Sequence, residues 1–106
     1  ILAFQSEARR RALMREAEPE FRKRLDQPET EAIFAEIREQ GHRIAPSRDI
    51  LAVTDIACPV VGLSGYAEAA ILVPCLKRHG VATDEEAILL TLKACAAEAG
   101  LRLPLG

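Results

Sequence analysis

A single carboxylate interrupts an otherwise apolar run, Val53-Thr54-Asp55-Ile56-Ala57-Cys58. A carboxylate removed from water needs a partner, or it gives up its charge. Two readings of Asp55 stand side by side. It either faces outward or bonds to a neighbouring loop, or it is the placed polar group of a mostly apolar ligand pocket. Three thiols, Cys58, Cys75 and Cys95, follow at intervals too wide for a CxxC pair, and His42 and His79 are the only imidazoles. An odd number of cysteines without metal-ligand spacing points to reduced, packed thiols in a cytosolic protein, not to zinc or a disulfide. A Cys/His nucleophile pair is the competing reading, because such partners meet in space and not in sequence. Phosphate-cradling glycine loops, GxSxG, HExxH and EF-hand spacing are all missing. The expectation is therefore a non-enzyme with no catalytic residue, no metal and no cofactor.

The elements that would position Asp55 follow from periodicity. Helices are expected over about 6–17, 28–40 and 83–99, and strands over about 42–46, 50–61 and 69–76. Ser6 is a suitable N-cap for the first helix, whose thin apolar face is Ala8, Leu13, Met14 and Ala17. Pro19 stops or redirects that helix, and Phe21 anchors a further short helical turn to Leu25. Ile33, Phe34 and Ile37 share a face of the second helix, which Gly41 ends in the left-handed conformation. Thr83 and Glu86 form a capping box for the last helix, and Ile88, Leu89, Leu92, Cys95, Ala96 and Ala99 repeat at helical spacing, so that this stripe is expected to be buried. Gly100 is expected as its C′ residue, with Pro104 beyond it.

The strands are rich in Ile, Val, Leu and Thr, with a turn at Ser47 to Asp49 and another at Leu63 to Tyr66. Pro59 and Pro74 each remove a ladder donor and belong at bulges, at strand ends or facing an open edge. Apolar residues at nearly every strand position imply cover on both faces, by helices on one and by a ligand or second subunit on the other. The order helix, helix, strand, strand, strand, helix defines an α+β fold: an antiparallel sheet with flanking helices.

At 106 residues, with 49% apolar and 28% charged side chains, the chain suits one soluble globular domain. A net charge of −2 supplies no basic field for a phosphate backbone, so this chain is not expected to bind DNA itself. The arginines between Arg9 and Arg24 alternate with acids, as on a solvated helix face. No apolar run reaches the roughly 18 residues of a membrane span, and no secretory leader is visible.

The segment Glu31 to Arg78 resembles the C-terminal half of the effector-binding domain of IclR-family bacterial transcriptional regulators. The resemblance rests on a helix ending in Ile37-Arg38-x-x-Gly41, a strand and turn, the run Val53-Thr54-Asp55-Ile56-Ala57-x-Pro59-Val60, a short hairpin, and Ala69-Ala70-x-x-Val73-Pro74. The opening Ile1-Leu2-Ala3-Phe4 and the last helix are similar to the family's flanking sections. The resemblance implies a twisted GAF/profilin-like sheet whose concave face binds a small metabolite effector, in a cytoplasmic protein that associates into dimers or tetramers. It further implies that DNA is bound by a separate winged helix-turn-helix domain, which this sequence lacks, and that the sensing domain is incomplete on its N-terminal side. Carried across, the pocket positions fall on Ala45, Val53, Asp55, Leu72 and Pro74. These lack the hydroxyls that would hold a small oxo-acid, and suit a more apolar ligand with one donor for Asp55. The alternatives are a stand-alone GAF-like binding protein or small enzyme using Asp55 or Cys58, and a structural association domain.

Overall fold

Ser6 does begin a helix. Its Oγ accepts the Arg9 N–H at 3.2 Å, and in the computed structural model, which describes residues 1–103, α1 spans Glu7–Glu16 after a short 3-10 turn at Leu2–Phe4. Pro19 does not merely end α1; it opens α2, Pro19–Leu25, at a first-turn position where its missing N–H costs nothing. Pro28 lies outside α3, which covers Thr30–Gln40 and closes on Gly41 at φ 76°, as glycine permits. β1 is Arg43–Pro46, β2 Val53–Val61 and β3 Ala67–Leu76, all antiparallel in the order β1-β2-β3. α4 completes the chain at Glu85–Leu101. This is an α+β fold, an antiparallel meander with flanking helices, and among the described residues no helix is long and apolar enough to cross a membrane.

Several boundaries differ from the sequence reading for identifiable reasons. β2 begins at Val53, not Ile50, because Ser47 Oγ accepts the Ile50 N–H at 3.3 Å and Ala52 takes a positive φ of 63°, which together hold residues 47–52 in a longer turn. α4 is capped by Asp84, whose Oδ1 accepts the Ala87 N–H at 3.0 Å, and not by Thr83. β3 starts at Ala67, two residues early, after a bulge between Val60 and Val61. Pro104 lies outside the described residues.

Pairing parity explains the two mid-strand prolines. The Lys77 N–H donates to the Ala52 carbonyl at 2.8 Å, which fixes which pairs of the β2–β3 ladder exchange hydrogen bonds. Asp55↔Pro74 and Pro59↔Ala70 fall on the pairs that do not. The Pro74 nitrogen therefore points to the open edge of β3, and that of Pro59 points past the end of β1, so neither leaves a broken ladder bond.

The core lies on one face of the sheet. Ile56, Cys58 and Val60 of β2, with Cys75 of β3, pack against Leu92 and Ala96 of α4. No residue of α1, α2 or α3 is fully buried. The closest approach is made by Gly100, which lies inside α4 and is not the left-handed stop expected for it. A Cβ there would overlap the Val61 carbonyl oxygen and lie 3.1 Å from the Val61 carbonyl carbon. Helix propensity favours alanine over glycine by about 1 kcal/mol, but overlap with backbone reverses the sign. Gly100→Ala is expected to destabilise the fold by about 2 kcal/mol, read as a fall in Tm of about 10 °C in a thermal melt.

Candidate functional site

Alternation along β2 puts Thr54, Ile56, Cys58 and Val60 on the α4 side and leaves Asp55, Ala57 and Pro59 half-buried on the other. Register then carries that second face across the sheet. Ala45, Asp55 and Pro74 stand opposite one another on β1, β2 and β3, while Leu72 faces Ala57 and Val53 faces Leu76. All five expected site positions thus share the sheet face turned away from α4.

Three of them, Ala45, Asp55 and Leu72, line one open hollow of about 630 Å3, together with Ala57 and the turn after β1. Val53 is buried and Pro74 exposed, and neither lines the hollow. The floor is apolar. Its rim is charged: Arg43, Arg48 and Asp49 complete the wall, and the sequence reading named none of them as site residues. Arg43 could have been found by period-two counting, since it is two residues before Ala45 on the same strand. Arg48 and Asp49 could not, because they lie in a turn whose path is set by Ser47 and Ala52.

The Asp55 carboxylate makes no ion pair and accepts no side-chain hydrogen bond among the described residues, where the ion pairs are Arg10–Glu31, Arg11–Glu7 and Arg102–Glu98. It remains open to an incoming donor.

The thiols belong elsewhere. Cys58 and Cys75 are buried on the α4 side, and burial pushes the Cys58 thiol above its usual range, against a smaller opposing effect of Lys93. Cys58 is therefore a neutral thiol near pH 7 and a poor nucleophile. Cys95 is exposed on α4, contrary to its expected place in the buried stripe. The stripe narrows to Leu92, Ala96 and Gly100, with Ile88, Leu89 and Ala99 partly covered. All three cysteines are free, and no His–Cys hydrogen bond or cluster of three or more His, Cys, Asp or Glu suited to a metal exists among the described residues.

A three-stranded antiparallel meander, covered by a helix on one face and bearing a charged-rimmed hollow on the other, defines an α+β domain. It is similar to a chain in the crystal structure of an IclR transcriptional regulator from Alicyclobacillus acidocaldarius, with a TM-score of 0.64 and 23% sequence identity over 93% of this chain. The match spans 40% of the regulator's chain. The likeness establishes an IclR-like fold. No protein-family model matches the sequence, and no curated protein matches it.

The thiol placement has a direct readout. Iodoacetamide at neutral pH is expected to label Cys95 in the folded protein, and Cys58 and Cys75 only after denaturation, as followed by peptide mass spectrometry. Labelling of Cys58 at the Cys95 rate would contradict the burial described.

Proposed function

We propose that this chain is the effector-sensing and self-association portion of an IclR-type transcriptional regulator. A small metabolite would bind over the sheet face, and DNA would be contacted by a winged helix-turn-helix domain outside this sequence. The protein would act in the cytoplasm, as a dimer or tetramer, without catalysis. The observation that carries this reading is the convergence of Ala45, Asp55 and Leu72 on one hollow in a fold shared with a regulator. Ligand pockets of this kind combine an apolar lining with a few placed polar groups, and the hollow has both. Its ligand would lay an apolar body over Ala45, Ala57 and Leu72 and present an amine or hydroxyl to Asp55. Val53 and Pro74 would flank this floor on the same sheet face.

In the enzyme alternative, Asp55 or Cys58 would have to act without the other. Asp55 and Cys58 are an odd number of residues apart on β2 and face opposite sides of the sheet, so they do not act on one substrate. Cys58 is also held neutral by burial.

A ligand that binds only the folded state raises its stability, by about 2.7 kcal/mol at a hundredfold excess over Kd. In a thermal-shift screen of small metabolites, a compound bearing an amine or hydroxyl next to an apolar body is expected to raise Tm. Its affinity should fall at least tenfold in both Asp55→Asn and Leu72→Glu. No stabilisation by any metabolite, or unchanged affinity in both variants, would favour the pure association domain.

A further inference from the structure

The walls of the sheet-face hollow include Arg43 and Arg48, and the same two arginines line a second, smaller recess of about 250 Å3. This recess is bounded by α2, α3 and β1. Its floor is apolar, made by Phe21, Ile33, Phe34 and Ile37. Its charged lining is of one sign only: Arg24, Arg43 and Arg48, with no carboxylate. The nearby acids Asp26 and Asp49 line the neighbouring hollows instead.

These three arginines differ from those of α1. Arg10 and Arg11 are paired with Glu31 and Glu7. Among the described residues, the side chains of Arg24, Arg43 and Arg48 have no carboxylate partner and donate no hydrogen bond; Arg24 lies over the Phe21 ring, 5.9 Å from its centroid. Three cations around one small recess repel one another, and a multiply charged anion removes that repulsion. Guanidinium forks match phosphate oxygens in pairs, and a flat apolar body fits a floor of two aromatic rings and two isoleucines.

We propose that this recess binds an organic phosphate monoester, with the phosphate among Arg24, Arg43 and Arg48 and an aromatic or branched body on the α2–α3 floor. The site shares Arg43 and Arg48 with the sheet-face hollow but is distinct in Arg24 and in its floor residues, which do not line the latter. A dianion fits three guanidiniums better than a monocarboxylate does, and the apolar floor separates an ester from free phosphate.

The test is calorimetric titration of the chain with phenyl phosphate, beside inorganic phosphate and benzoate. Phenyl phosphate is expected to bind at least tenfold more tightly than either. Its affinity should fall at least tenfold in Arg24→Gln and in Ile33→Ser, two exposed positions where Tm and circular dichroism verify folding, and should partly recover in Arg24→Lys. Asp55→Asn removes no residue of this recess and should not weaken phenyl phosphate binding, so failure of the effector reading leaves this result standing. Inorganic phosphate binding as tightly as phenyl phosphate would mean an adventitious ion only and would overturn the proposal. Equal binding of benzoate, wild-type affinity in Arg24→Gln, or a comparable loss in Asp55→Asn would overturn it as well.

Discussion

The contact between Gly100 and the Val61 backbone sets how closely α4 can lie against the sheet. Any side chain at that point would lift the helix end from β2, and the separation would be felt along the whole layer where Leu92 and Ala96 meet Ile56, Cys58 and Val60. Interiors packed to crystal-like density do not absorb such a gap. Because α4 takes up one face of β2 completely, strand alternation leaves the opposite face, with Asp55 at its centre, free for other work. The position of the candidate site is in this sense a consequence of a glycine on the far side of the sheet.

Charge is distributed unevenly around that free face. The helical segment from α1 onward satisfies several of its arginines internally: Arg10 reaches Glu31 at 3.1 Å and stacks over Phe34 at 5.2 Å, and Arg22 donates to the Arg15 and Ala17 carbonyls at 3.0 Å. Arg43 and Arg48 are different, because they stand where the sheet-face hollow and the helical recess share a wall. Exposed ion pairs contribute little to stability, so the absence of partners there costs the fold little. It leaves two guanidiniums addressable from two sides.

Much of the architecture was legible in the sequence because local rules and tertiary packing agree there. Ser6 and Gly41 bound their helices as their chemistry requires, and the strand alternation around Asp55 follows from period two. The misses share a cause. Gly100 reads as a helix stop by residue type, but the neighbour that requires it, Val61, is remote in sequence. Thr83 and Asp84 are adjacent capping residues, and the choice between them depends on backbone angles that spacing does not encode. Cys95 fits a helical stripe, yet a three-stranded sheet is too narrow to cover the full width of α4, and the thiol remains outside. For the site, strand register brings Ala45, Asp55 and Leu72 together, while Val53 and Pro74 share their face without reaching the hollow.

The outward-pointing nitrogen of Pro74 has a consequence for how the sheet could grow. β3 is an edge strand, and edge strands offer unpaired backbone groups to any extended chain that approaches. With no N–H at Pro74, a fourth strand could pair in full only alongside the earlier part of β3 and would have to bulge or stop when it reached that residue. One imino acid thereby acts as a molecular ruler, restricting both the length and the register of strand addition and making runaway sheet-to-sheet polymerisation through this edge self-limiting.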